Sequence, residues 1–182
     1  AIHFRFYMIN HNQKIQKFKG GLAWNDYSSH IKSQFGVRVQ KISVNAGFTC
    51  PNRDGTKGRN GCIYCNNSSF SPFYCKPETP IAKQLEKGID FFGKKYKTQK
   101  YLAYFQSGTN TYAPTEILLE SYKEALSVPG VLGLVIGTRP DCIDESTLEI
   151  LKDIAKEKYV CIEFGAESSK NESLKITNRE IG

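Results

Sequence analysis

Three cysteines lie close together in a polar, glycine-rich stretch of the sequence. Eleven residues separate Cys50 from Cys62, and two residues separate Cys62 from Cys65. The glycines between them allow the backbone to wrap closely around a bulky centre. Three cations in the same stretch can offset the negative charge of thiolates: Arg53, Lys57 and Arg59. This pattern indicates a metal or cluster site.

Two kinds of centre fit this spacing. Three thiolates can hold three corners of a [4Fe–4S] cluster, and the fourth iron is then open to a small molecule, as in catalytic metal sites. A zinc site with Cys75 as fourth ligand is the alternative, although its spacing does not match common zinc ribbons or fingers. Cys142 and Cys161 lie in or beside apolar segments, where a cysteine usually acts as a small hydrophobe.

Two glutamates are candidates for a functional role near the fourth apolar run. Glu163 lies inside this run and Glu167 lies just past it. A carboxylate in such a run is costly unless it has a partner, so we expect either a pore-facing role or an ion pair. Of the two, Glu167 is favoured as a ligand contact. The three histidines precede the first predicted strand and lack the spacing of a metal or catalytic pair.

Four short apolar runs have the length of strands. Their near-continuous hydrophobicity is typical of parallel strands covered by helices. The predicted strands are 37–44, 100–106, 132–137 and 159–164.

Helical periodicity appears after each predicted strand and once before the first. Caps are predicted at Thr79 with Pro80, at Asp144, and in a Ser169-x-x-Glu172 capping box for the last helix. The apolar positions in register are Tyr27, Ile31 and Phe35; Ile81, Leu85, Ile89, Phe92 and Tyr96; Leu118, Tyr122 and Ala125; and Leu148, Leu151 and Ile154.

The predicted order is four βα units after an N-terminal extension, residues 1–36, that contains a helix. Repeated βαβ units imply an α/β fold with a parallel sheet, either doubly wound or part of a (β/α) barrel. In both, chemistry belongs at the carboxyl ends of the strands. The stretches there are the cysteine loop, 107–112, 138–142 and 165–168. Four units cannot close a barrel, so we expect a fragment of a longer protein.

The composition is that of one globular domain of 182 residues. No apolar run approaches the roughly 20 residues of a membrane helix. Features of a secretory signal are lacking, so we expect a cytoplasmic protein with reduced cysteines. The net charge of +7, with lysines concentrated in 83–100, keeps RNA as an alternative partner. No arginine-rich tract or nucleic-acid motif accompanies these lysines.

The sequence resembles the radical S-adenosylmethionine superfamily. The most specific part is the Cys-Ile-Tyr-Cys ending of the cysteine loop, residues 62–65, after a first strand. In that superfamily the first cysteine usually lies closer to the second, so the gap here departs from the commonest form. Residues 45–59, 105–114 and 137–142 resemble a bacterial subfamily with distant likeness to the elongator catalytic subunit or oxygen-independent coproporphyrinogen oxidase.

This resemblance implies a partial TIM barrel, truncated after about four βα units within residues 37–182, and an oxidoreductase or transferase. Cys50, Cys62 and Cys65 would ligate three irons of a [4Fe–4S] cluster, and S-adenosylmethionine would bind the fourth. Reductive cleavage would give a 5′-deoxyadenosyl radical that abstracts hydrogen from an unidentified substrate. The implied partners are an electron donor such as flavodoxin or ferredoxin and an RNA or tetrapyrrole substrate, neither of which a specific residue supports.

The resemblance also suggests where S-adenosylmethionine would bind. Tyr64 lies where the family places an aromatic residue near the adenine, with simple packing as the alternative. After the second strand, many relatives carry a Gly-Gly-Glu-like turn for the methionyl amino group. The turn here supplies hydrogen bonds but no carboxylate: Gln106, Ser107, Gly108, Thr109 and Asn110. Thr138 and Arg139 follow the third strand, and Glu167 follows the fourth.

Arg139 suits a carboxylate bidentately, with an ion pair to Asp141 or Asp144 as the alternative. Two other functions stay open for the whole chain. One is a zinc-stabilised module whose lysines bind RNA, and the other is an inert fragment that binds a cluster.

Overall fold

Strands and helices alternate along the chain in the computed structural model, which describes residues 3–4, 26–96 and 99–180. The strands are β1 (His3–Phe4), β2 (Arg38–Val44), β3 (Gln99–Phe105), β4 (Val131–Thr138) and β5 (Tyr159–Gly165). The α-helices are α1 (Tyr27–Phe35), α2 (Ile81–Gly93), α3 (Thr115–Ser127), α4 (Glu145–Ala155) and α5 (Asn171–Ile176). A 3₁₀ turn spans Asn67–Phe70. The α/β class is therefore confirmed.

The five strands form one sheet in the order β1-β5-β4-β3-β2. Strands β2 to β5 are parallel, and Val44, Phe105 and Ile136 lie side by side near their carboxyl ends. Consecutive parallel strands are neighbours throughout, whereas a doubly wound sheet reverses its order at a switch point. The doubly wound alternative therefore does not describe this sheet.

One face of the sheet is covered by helices α2, α3 and α4. Alternate strand residues point to this face, and Ile42, Phe105 and Leu134 are completely buried there. A Cβ on Gly88 of α2 would lie 2.3 Å from Cγ2 of Ile42, so glycine permits the close approach of α2 to β2.

The opposite face combines apolar and charged side chains. Leu102 and Val135 are fully buried and alternate with the residues of the helix-covered face. Helix α1 lies near this face, because its Tyr27 ring is 4.9 Å from Lys41 Nζ. The charged residue Lys41 thus lies between the sheet and α1.

The capping predictions have mixed outcomes. Asp144 caps α4 as predicted, since its carboxylate accepts a hydrogen bond from Thr147 N at 2.8 Å. The capping box is wrong, because α5 begins at Asn171 with Lys170 at its N-cap. Ser168 Oγ accepts from Lys170 N at 3.0 Å instead.

Two details of the α2 prediction are also wrong. Pro80 occupies the N-cap position without a side-chain hydrogen bond, so Thr79 is not the cap. The helix ends at Gly93 and excludes Tyr96, whose ring instead packs 4.0 Å from the Arg38 guanidinium.

The N-terminal extension holds a strand that its sequence does not predict. Strand β1 pairs antiparallel with β5, with His3 opposite Gly165. The remainder of that extension up to Asn25 is outside the described residues, as are 97–98 and 181–182. Within the described ranges, no helix combines the length and apolar character needed to cross a membrane.

Candidate functional site

A cavity of about 740 Å³ lies at the carboxyl ends of the parallel strands. Its wall comes from the loops after β2, β3, β4 and β5 and from residues in and after α5. All three cysteines and all nine predicted cofactor-binding residues line it: Cys50, Cys62, Cys65, Tyr64, Gln106, Ser107, Gly108, Thr109, Asn110, Thr138, Arg139 and Glu167. The structure thus brings together residues from four separate loops.

The cysteine loop closes on itself despite its long gap. Arg53 N donates to Cys50 O at 2.7 Å, which turns the chain immediately after the first cysteine. Gly61 N donates to Asn52 O at 2.8 Å and joins the two ends of the gap. Gly61 has φ +69°, a left-handed conformation that glycine adopts without steric cost. The residues between Asn52 and Gly61 therefore form a closed side loop, and all three cysteines still line the cavity.

Each of the three cavity cysteines lies beside a different arginine. Arg139 Nη1 is 3.7 Å from Cys50 Sγ, and Arg179 Nη1 is 3.9 Å from Cys62 Sγ. Arg53 Nη2 donates to the Cys65 carbonyl at 2.9 Å. Three guanidinium groups around three thiols can offset the negative charge of sulfur ligands. Of these three arginines the sequence predicts this role only for Arg53, and the predicted Lys57 instead donates to Asp141.

Arg139 forms the ion pair that was the alternative to a ligand-binding role. Its Nε and Nη2 donate to the Asp141 carboxylate at 2.9 and 2.7 Å, and Lys57 Nζ donates to the same group at 2.8 Å. Burial alone would raise the pKa of Asp141, but these hydrogen bonds hold that pKa well below its usual range. Because Asp141 occupies the bidentate edge, only Nη1 of Arg139 is directed at Cys50.

The turn after β3 is locked by hydrogen bonds and by backbone conformation. Ser107 has φ +70°, which is uncommon for a residue other than glycine. A Cβ on Gly108 would lie 2.4 Å from the Phe48 carbonyl oxygen, so only glycine fits there. Asn110 Nδ2 donates to Phe105 O and Gly137 O at 3.2 and 2.8 Å, and its completely buried Oδ1 has no partner. The Asn110 side chain therefore joins the turn to the ends of β3 and β4.

The two glutamates differ in their surroundings. Glu163 is buried and accepts from Lys41 Nζ at 2.6 Å, yet it also lines the cavity. Burial and the neighbouring Glu163 carboxylate both raise the pKa of Tyr104, another cavity residue. Glu167 has φ +63° and faces the cavity. Both expectations for Glu163, an ion pair and a pore-facing position, are therefore met, and a ligand contact by Glu167 stays a prediction.

Several cavity residues were not expected from the sequence: Asn67, Tyr104, Ser173, Thr177 and Arg179. Arg179 is the most informative, because it is buried although it carries a charge. It contacts Cys62 across 117 positions of sequence, a separation that leaves no local pattern. Tyr104 could have been found from strand alternation, since it points away from the helix-covered face.

Cys75 does not join the other three cysteines. It is buried in the hydrophobic core, where its Sγ donates to Ser43 O at 2.9 Å. Burial raises the pKa of Cys75 to about 12, so the thiol stays protonated at neutral pH and is a poor metal ligand. The structure therefore gives no support to Cys75 as a fourth zinc ligand.

The thiols border the cavity at separate points. Over the described part of the chain, no group of three or more His, Cys, Asp or Glu side chains is placed to hold a metal ion. All six cysteines are free thiols. The donor set at the cavity is thus three separate sulfur atoms with three arginines around them.

The chain is similar to curated proteins from three organisms. Protein YhcC of Escherichia coli (strain K12) is 35% identical over 156 residues, which are 85% of this chain and 49% of that protein. Uncharacterized protein YtqA of Bacillus subtilis (strain 168) is 33% identical over 150 residues, which are 82% of this chain and 47% of that protein. Uncharacterized protein MJ0486 of Methanocaldococcus jannaschii is 36% identical over 165 residues, which are 89% of this chain and 50% of that protein.

The chain spans about half the length of the curated relatives it matches. None of their names states an activity. No protein-family model and no solved structure matches the chain.

Proposed function

We propose that this chain forms the cofactor-binding part of a radical S-adenosylmethionine enzyme. The observation that carries the proposal is the meeting of the three cysteines with all nine predicted cofactor-binding residues around one cavity. That cavity lies where parallel α/β sheets hold their active sites. The proposal includes a partial TIM barrel, which the unbroken sequential order of β2 to β5 supports.

The residues present fit a [4Fe–4S] cluster. Each thiolate of such a cluster binds a different iron atom, and the three cysteines border one cavity with arginines beside them that can offset the negative charge of thiolates. Cys50, Cys62 and Cys65 would hold the group. When bound, it would supply the electron that cleaves a carbon–sulfur bond of S-adenosylmethionine.

The surrounding polar groups suit the binding of a polar cofactor. The hydroxyls of Ser107 and Thr138, which line the cavity, can bond an amino group, a hydroxyl or a carboxylate. The ring of Tyr64 is 44% exposed beside Cys62 and can pack on an adenine.

The proposal leaves the substrate open between an RNA and a tetrapyrrole, because no described contact distinguishes them. An electron donor such as flavodoxin or ferredoxin and a cytoplasmic location belong to the same proposal. The presence of six free cysteines is compatible with a reducing compartment.

The first test is metal analysis after anaerobic reconstitution with iron and sulfide. We expect about four irons and four sulfides per chain. Cys50→Ala, Cys62→Ala and Cys65→Ala should each lose most of this iron. The matched control is Cys161→Ala, because Cys161 lies on β5 but does not line the cavity. A colourless protein with one zinc and no sulfide would overturn the proposal.

The second test separates an enzyme from an inert fragment that binds a cluster. The reconstituted chain is reduced with dithionite and mixed with S-adenosylmethionine, and 5′-deoxyadenosine is measured by chromatography. Formation of this product above the level of the Cys62→Ala variant supports the enzyme. A full complement of iron without any product would establish the inert fragment instead.

A further inference from the structure

Residues 177–180, which we call the clasp, follow α5 and lie against the cysteine loop. Ile63 N donates to Thr177 O at 3.1 Å. Asn178 Nδ2 donates to Gly61 O at 2.7 Å, and Asn52 Nδ2 donates to Asn178 O at 2.9 Å. Three hydrogen bonds therefore join the clasp to residues on both sides of Cys62.

The clasp also reaches the ends of two strands. Arg179 Nη2 donates to Gly165 O at the end of β5, and Arg139 Nη2, just after β4, donates to Glu180 O. The clasp thus adds a connection between the cysteine loop and the sheet end, although more than 100 residues separate the loop from it. The completely buried Asn52 belongs to the connection, since its Nδ2 is also 3.5 Å from Cys62 Sγ.

Asn178 has two roles that few residues can combine. It ends α5 in the left-handed conformation, with φ +54°. Asn178 N donates to Lys175 O at 3.0 Å and Arg179 N donates to Leu174 O at 2.8 Å, the bonding pattern of a Schellman motif. Glycine would satisfy this backbone conformation equally well. Only asparagine also provides a side-chain amide that can donate to Gly61 O.

We propose that the clasp holds the cysteine loop in the conformation that presents Cys62 to the cavity, and that Asn178 is its positioning residue. Asn178 does not line the cavity, so it acts through Gly61 and Asn52, which precede Cys62. The benefit for a cluster rests on the proposed function. The positioning itself requires no bound group and is open to measurement in the metal-free chain.

The test is hydrogen–deuterium exchange on the 182-residue chain purified without added iron. Asn178→Asp keeps the side-chain shape but replaces the donor with an oxygen that repels Gly61 O. Asn178→Gly keeps the left-handed backbone and removes the side chain, which guards against misfolding of the first variant. The matched control is Asn171→Asp, the same change at an exposed position on the same helix.

Loss of this partly buried hydrogen bond should speed exchange in residues 52–63 by about five- to thirty-fold in both Asn178 variants. The control should match the unsubstituted chain there. Unchanged exchange in residues 52–63 would overturn the proposal. Equal acceleration over the whole chain would also overturn it, since Asn178 would then serve general stability.

This outcome is independent of the metal analysis above. Failure of the unsubstituted chain to take up iron and sulfide would sink the proposed function and leave the exchange result intact. Normal iron uptake combined with unchanged exchange in the Asn178 variants would overturn the role of the clasp and leave the proposed function intact.

Discussion

On the helix-covered face of the sheet the side chains are apolar and mostly buried, whereas many polar and charged side chains line the cavity at the carboxyl edge. Leu134 and Ile136 have no exposed surface, whereas Thr138 at the end of the same strand and Arg139 just after it line the cavity. Strand β4 thus passes from a region that stabilises the fold to a region that can bind a ligand.

Backbone strain follows the same division. In the ranges that the structure describes, the left-handed residues other than glycine are Ser107, Glu167 and Asn178. The first two line the cavity and the third contacts the cysteine loop. A left-handed residue costs about 1–2 kcal/mol, and such strain concentrates at functional sites. Changes on the covered face should therefore alter stability alone, and changes at the edge should alter ligand binding.

The largest effect is expected in the centre of the covered face. Leu134→Ala leaves a cavity in a fully buried site and should lower the free energy of unfolding by about 3 kcal/mol. Urea denaturation measures this loss. Leu148→Ala is the matched control, because Leu148 is 47% exposed on α4 and should lose much less. Iron uptake below the unfolding transition should be unchanged in both, and a specific loss of iron in Leu134→Ala would break the division.

At the cavity edge, the strongest effect on stability is expected at Asp141. Asp141→Asn leaves the nearly buried guanidinium of Arg139 without its carboxylate and should cost about 3 kcal/mol at neutral pH. The folded pKa of Asp141 is depressed, so its stabilisation is present above the unfolded value of about 3.9 and is lost as the pH falls through the folded pKa. The measured difference should be constant above about pH 5 and shrink toward pH 2.

The exposed pair of Asp153 with Lys156 provides the control for that pH series. Both side chains are largely solvated, so Asp153→Asn should change stability little at any pH. If the difference for Asp141→Asn does not vary with pH, the carboxylate is not the source of its effect.

Elements with a strong local pattern could be predicted from the sequence. Three of the four parallel strands, β3, β4 and β5, are mostly apolar runs, and each helix between the strands buries one apolar stripe, as Leu118 and Tyr122 of α3 do. The rule that chemistry lies at carboxyl strand ends then located the cavity residues without any knowledge of contacts. Ser107 and Thr138, for example, each lie at such an end, and the family resemblance suggests contacts with the cofactor there.

Features that depend on distant partners could not be predicted. Strand β1 has two residues and exists only through its pairing with β5. The clasp contacts the cysteine loop across more than 100 positions. The predicted capping box at Ser169 does not form, and Ser168 instead accepts a hydrogen bond from Lys170 N. Such contacts are set by tertiary packing, which overrides weak local preferences.

Tyr122 connects the two regions and tests how sharply they are separated. Its ring packs against Phe105 in the core, while its hydroxyl donates to Asn110 O in the cavity turn at 2.6 Å. Tyr122→Phe keeps the ring and removes a buried hydrogen bond, which should cost about 1.5 kcal/mol in urea denaturation. Tyr96→Phe, a partly exposed tyrosine without such a bond to the turn, is the control. A loss within error of that control would show that the turn does not depend on the core.

The smallest effect is also the one with the opposite sign. Ser107→Gly removes a Cβ from a left-handed position and should raise the free energy of unfolding by about 1 kcal/mol. The same change in the middle of α3, Ser121→Gly, should lower it by about 0.5 kcal/mol because glycine weakens a helix. Titration calorimetry of the reconstituted chain should show weaker binding of S-adenosylmethionine to Ser107→Gly alone, since the hydroxyl at the cavity is lost. A destabilised Ser107→Gly would mean that the edge holds this turn by contacts stronger than its strain, and the division between the two regions would fail there.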